Sequence, residues 1–157
     1  MDRLFFDHKL DLEIIKHENE LDLTLLDLFK LKNVFNGRIY IFFDFNSRKK
    51  RNFIILETGI IDYILQFDNL ISYLDKGNNE TFTVSNDYYS NSLNYIYSKE
   101  NDRLEIFEVN NNLFTIICKY SDFKKAYNGF RKRVLKELII LYPNLTYNKI
   151  FIEYFIS

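Results

Sequence analysis

A stripe of apolar side chains, Phe123, Tyr127, Phe130, Val134, Leu138 and Leu141, recurs at spacings of three and four and stops short of Pro143. That period belongs to one face of an α-helix, and a face so rich in rings requires an apolar surface to cover it. Ser121 stands as the N-cap and Asp122 at the positive end of the helix dipole. The residue before a proline is pushed out of helical geometry, so the pattern predicts a helix over about 122–142. The rest of the chain must supply the covering surface, and most of it reads as strand.

Residues 38–46 and 51–57 are β-rich runs bracketing Ser47-Arg48-Lys49-Lys50, a polar connection of hairpin length. Asn36-Gly37 predicts a type I′ turn joining two antiparallel strands, because both residues tolerate positive φ. Leu10, Leu12 and Ile14 alternate with charged residues as a half-buried strand does. Residues 21–32 fit either a strand, on Leu21, Leu23 and Leu25, or a helix, on Leu21, Leu25, Leu28 and Phe29. Ile60, Ile64, Phe67, Ile71 and Leu74 predict a helix over 60–75, with Thr58 as its cap and Gly77 just past its end. Residues 81–85, 93–98, 104–109 and 113–120 follow as a second set of strands separated by Asn, Asp, Ser and Lys turns. The tail, 147–155, is a short helix on Phe151 and Phe155 or a last strand.

Strands, helix, strands, helix is the order of an α+β fold: two antiparallel meanders, a mid-chain helix and a long C-terminal amphipathic helix packed on the sheet. No linker, repeat or low-complexity tract divides the 157 residues, so one domain is expected. At this length a fold buries about 68 to 70% of the unfolded surface, enough for a core without crosslinks.

The sequence carries no recognisable catalytic or metal-binding pattern. The two histidines, His8 and His17, lie beside Asp7 and Glu18, but nine residues on one strand put them on opposite faces and no third ligand follows at helical spacing. Solvated turn histidines are expected. The single cysteine, Cys118, sits in an apolar run with no histidine near it and reads as a buried, inert thiol. Asp11 and Glu13 share a strand face, as alternating charges on a wet face ordinarily do. Four glycines build no phosphate loop. Neither an enzyme nor a cofactor or metal protein is expected.

Composition limits the partner classes. Twenty-one basic and twenty-two acidic residues leave a net charge of −1 and a pI of 6.1, so no global field draws the chain to nucleic acid or anionic lipid. The charge is nevertheless polarised: residues 1–30 hold eight acids and four bases, residues 121–157 three acids and seven bases. Arg48 to Arg51 form a basic turn, and Lys125, Lys132 and Lys136 share the helix face opposite the Phe123 stripe. These predict at most weak, salt-sensitive nucleic-acid binding. No apolar run is long enough for a signal-peptide core or a membrane span, and a lone cysteine suits a reducing compartment, so a cytoplasmic protein is expected. The sequons at Asn79 and Asn144 are what an asparagine-rich chain produces by chance.

Asp87-Tyr88-Tyr89 and Asn94-Tyr95-Ile96-Tyr97 place aromatics on and beside a strand. Tyrosine concentrates at protein interfaces, so Asp87, Tyr88, Tyr89, Tyr95, Tyr97 and Glu100 form the expected contact patch; packing of Tyr95 and Tyr97 under the long helix is the competing expectation. Codon bias toward A and T accounts equally well for twelve tyrosines and sixteen phenylalanines.

The whole pattern, with a mid-chain helix ending in Lys76-Gly77-Asn78 and a terminal helix ending in Leu141-Tyr142-Pro143, resembles small α+β proteins of A/T-rich bacteria and mobile elements, many of which are similar to immunity proteins of polymorphic toxin systems. The resemblance is one of overall organisation. It implies a non-catalytic protein that binds and blocks a cognate toxin, with contact residues too variable to carry over. A phage or mobile-element inhibitor of a defence effector, and a weak nucleic-acid binder using 48–51 and 125–136, are the alternatives.

Overall fold

The computed structural model describes residues 3–11, 22–45, 50–85, 92–109 and 115–156. Its first sheet joins β1 (Arg3–Leu10), β2 (Asn36–Phe45) and β3 (Lys50–Gly59) in chain order, all antiparallel. Strict alternation buries Phe6, Leu10, Ile39, Ile41, Phe43, Ile54 and Leu56 on one face. The first strand lies earlier than the sequence pattern implied: Leu10 closes it, and Leu12 and Ile14 fall outside the described residues. The alternation that would have revealed it is broken on its inner face by a polar residue, His8, whose Nε2 lies 2.7 Å from Glu137 Oε2.

Asn36-Gly37 is not a hairpin turn. It opens β2, pairing with β1 on one side and β3 on the other. A Cβ on Gly37 would lie 2.2 Å from the Lys9 carbonyl oxygen, so the glycine serves strand approach and not a left-handed turn. Before it, the ambiguous segment resolves as a short helix, α1 (Leu28–Val34), whose cap Asp27 accepts a hydrogen bond from the Lys30 amide.

β3 runs without a loop into α2 (Ile60–Asp75), and the predicted cap Thr58 is instead a buried strand residue with no partner for its hydroxyl among the described residues. Gly59 holds the cap position, and Gly77, at φ +81°, ends the helix as expected. The second sheet joins β4 (Phe82–Val84), β5 (Leu93–Ser98), β6 (Arg103–Glu108) and β7 (Thr115–Lys119), again antiparallel in chain order.

The long helix, α3 (Tyr120–Leu141), packs across both sheets. Phe6 of β1 meets Phe123 and Phe130, each at 5.4 Å between ring centroids, while Tyr95 of β5 meets Phe123 at 5.9 Å. The predicted stripe is buried through Leu138; Leu141, 44% exposed, lies beyond the core. Ser121 is not the cap. The β5–β6 turn supplies that function, because the Asp102 carbonyl accepts from the Tyr120 amide (3.0 Å) and its carboxylate from the Ser121 amide (3.1 Å) and hydroxyl (2.5 Å). Asp102→Ala should therefore destabilise the fold by about 1 kcal/mol in denaturant melts, with Asp102→Asn losing less; equal stability of wild type and the alanine variant would show the contact to be idle.

α2 and α3 are tied by two clamps one heptad apart. Asp68 accepts from the Tyr127 hydroxyl (2.5 Å) and Arg131 Nε (3.0 Å), and Asp75 from the Tyr120 hydroxyl and Lys124 Nζ, both at 2.8 Å. Burial pushes up the pKa of both phenols, and the adjacent carboxylates push them further. At Asp75 burial acts upward, but the hydrogen bonds from Lys124 and Tyr120 and the Lys124 charge prevail and hold the carboxyl below its ordinary value. The tail is helical: a 3₁₀ turn (Pro143–Tyr147), then α4 (Lys149–Phe151) continued by a π turn (Ile152–Ile156), with Phe151 and Phe155 buried. Asn148 caps this tail at the Phe151 amide and donates to the Leu23 and Leu26 carbonyls.

Candidate functional site: the outer face of the three-stranded sheet

Parity sends Arg3, Phe5, Asp7 and Lys9 of β1 to the face opposite the core, with Arg38, Tyr40, Phe42 and Asp44 of β2 and Phe53, Ile55 and Glu57 of β3. The register then sets Phe5, Phe42 and Phe53 side by side across the three strands. Phe5 and Phe42 stack at 4.7 Å and 17°, Phe42 and Phe53 at 6.1 Å and 30°, and Tyr40 extends the stack along β2 at 6.4 Å. Phe53 is 61% exposed, Ile55 45% and Phe5 39%. The solvated face of an antiparallel sheet is ordinarily polar; this one carries rings, while α2 and α3 lie on the other face.

Charged rows border the rings. The Arg3 guanidinium carbon lies 5.7 Å from the Phe5 ring centroid, a cation–π arrangement, and Arg38 pairs with Glu57 at 2.8 Å. Hydrogen bonding to Tyr40, then the Glu57 charge, raises the Arg38 pKa above its ordinary value. Cations (Arg3, Lys9, Arg38) and carboxylates (Asp7, Asp44, Glu57) are interspersed on this face, and Arg51 stands opposite Asp44 at the same parity of β3. An apolar centre ringed by charges of both signs is the composition of a protein-binding surface.

The contact patch expected from sequence is not assembled here. Asp87, Tyr88 and Tyr89 lie outside the described residues. Tyr95 is corrected from surface to core: it is fully buried against Phe67 and Phe123, because its side of β5 faces the long helix. Tyr97, on the same strand face, is half-buried with its ring 4.7 Å from Tyr120, and Glu100 is exposed in the turn after β5. Packing under the helix is thus the role of the tyrosine pair.

His8 is likewise not a solvated turn residue. Its side chain is 8% exposed, beneath α3, against Glu137 and the edge of the Phe130 ring. His17 and Glu13 fall outside the described residues, as do 46–49 of the basic turn, whereas Lys125, Lys132 and Lys136 are exposed along α3. Cys118 is buried as expected; burial first, then the charges of Asp122 and Asp102, pushes its thiol up to about 12, so it stays protonated at neutral pH. Among the described residues no three His, Cys, Asp or Glu side chains gather where a metal could be held. Among the described residues no helix is long and apolar enough to cross a membrane.

A scan of protein-family models, a search of curated proteins and a search of solved structures each return no match for this chain.

Proposed function

We propose that this chain is a non-catalytic, cytoplasmic binding protein that seats a partner protein on the outer face of its three-stranded sheet, acting as an immunity protein that occludes a cognate toxin. The row Phe5–Phe42–Phe53, exposed at Phe5 and Phe53 with Phe42 half-buried between them, supports this reading. Interface energy concentrates in a few aromatic anchors surrounded by polar groups, and these anchors are held in place before binding by strand register and mutual stacking, which lowers the ordering cost of association. The polarised charge of the chain would orient such a partner.

Stacked rings on a sheet also suit single-stranded nucleic acid, but that mode needs a positive groove to follow the backbone, and on this face Asp7, Asp44 and Glu57 interrupt the cations. A mobile-element inhibitor of a defence effector would use the same anchors; a secreted toxin gene upstream favours the immunity reading, and a phage operon the other.

Phe53→Ser should shift stability by less than about 1 kcal/mol, since the ring is mostly exposed, yet weaken the complex with the neighbouring gene's product by at least about thirtyfold, the scale of a hot-spot residue. Denaturant melts check the first and calorimetric titration the second. Unchanged affinity in Phe53→Ser and in Phe5→Ser would remove the face from the interface.

A further inference from the structure

A second surface lies at the junction of the two sheets. β1 and β7 are each the outermost strand of their sheet, and both border a groove of about 410 Å³ whose remaining wall is α3. Arg3, Lys125 and Arg133 line it with a single carboxylate, Asp122. None of the three cations has a carboxylate partner among the described residues. Arg133 instead donates through Nη2 to the Phe6 carbonyl at 2.7 Å.

That contact identifies an open strand edge. The Asp11 amide bonds the Asn36 carbonyl, so odd-numbered residues of β1 turn their backbone groups to β2 and even-numbered ones turn theirs away. Arg133 takes the carbonyl of Phe6; the amide and carbonyl of Leu4, at the groove, have no partner among the described residues. In β7 the Tyr120 amide bonds the Asp102 carbonyl, which by the same parity directs Ile117 and Lys119 to the free side.

Gly129 adds an independent observation. Glycine inside a helix is unfavourable relative to alanine, and the fold does not demand it here: a Cβ would meet nothing closer than the Arg133 guanidinium, at the ordinary contact distance of 3.4 Å. The missing side chain leaves the groove open in the middle of the longest helix.

We propose that this groove holds an extended, acidic segment of a partner protein, its carboxylates on Arg3, Lys125 and Arg133 and its backbone against the open edge at Leu4. A peptide offers the alternating donors and acceptors that a strand edge requires. A polynucleotide offers acceptors at its phosphates and would place them against Asp122. The groove adjoins the outer aromatic face at Arg3 and Phe5, while Lys125, Gly129, Arg133 and the Leu4 edge belong to it alone.

Fluorescence anisotropy with a labelled short peptide alternating glutamate and valine, at low salt, tests the proposal. Saturable binding is expected, weakened about tenfold by Lys125→Gln combined with Arg3→Gln and unaffected by Phe53→Ser. Gly129→Gln, which fills the groove, should raise Tm by a few degrees while also weakening the peptide about tenfold; a variant that merely misfolds would lose both. The proposal is overturned by absence of saturation below about 1 mM, by equal affinity in the charge-removed variant, by equal binding of a control peptide with lysine in place of glutamate, or by preferential binding of oligo(dT) through the same residues.

Discussion

Phe67→Ala is expected to destabilise the protein by about 3 to 5 kcal/mol, the range for truncating a fully buried ring, and so to remove a large part of the 5 to 15 kcal/mol that a domain ordinarily has. Phe67 is completely buried in α2. Its ring centroid lies 5.9 Å from Phe6 of the first sheet, 6.3 Å from Tyr95 of the second, and 6.3 and 5.3 Å from Phe123 and Tyr127 of the long helix. The cavity would open where both sheets and both long helices converge, with rigid rings on every side that cannot collapse into it. Phe130→Ala, buried against Phe6 and Tyr127, should fall in the same range. A loss under about 1 kcal/mol for Phe67→Ala in urea melts would mean that the ring is not the keystone described.

Alkaline pH should unfold the protein sooner than acid-base behaviour of exposed groups would suggest. The Cys118 thiol is raised from 9.0 to about 12, chiefly by burial. Its folded pKa exceeds its unfolded value, so the stability it contributes is complete below pH 9 and is lost as pH rises through 12. Each pH unit in that window removes about 1.4 kcal/mol, or roughly 2 kcal/mol by pH 10.5. Tyr95, Tyr120 and Tyr127 are raised in the same direction, by burial first and by Asp75 and Asp68 for the latter two, and they add to the loss above pH 10. Unfolding free energies at pH 8 and pH 10.5 measure the drop in wild type and in Cys118→Ala, where it should be shallower by roughly 2 kcal/mol. Parallel drops in the two proteins would show that the thiol ionises in place.

The helices were legible because their signal is local. Ile60 through Leu74 and Phe123 through Leu138 carry the 3.6 period within one segment, and burial followed it. Asn36-Gly37 misled for the opposite reason: its residues suit positive φ, but the fold used the glycine for close approach to Lys9, a contact set by β1 twenty-eight residues earlier. The cap of α3 was equally invisible, since Asp102 reaches Ser121 from a different turn. The aromatic face had a signal that went unread. Phe5-Phe6 and Phe42-Phe43 are doublets, and in a strand a doublet must put one ring on each side of the sheet. That Phe53 joins Phe5 and Phe42 in one row depends on cross-strand register, which no single segment encodes.

Binding of a protein partner by the outer sheet face is the claim on which the functional account rests. The most direct measurement takes the neighbouring gene's product as the candidate toxin and co-expresses it with wild type, with the paired change Phe5→Ser/Phe53→Ser, and with no partner, scoring survival and co-elution on size exclusion. The account predicts survival and a co-eluting complex with wild type, and killing with no complex for the paired change, whose thermal melt stays close to wild type. Survival and co-elution undiminished in the paired change would contradict it, as would killing in all three cases with no complex formed.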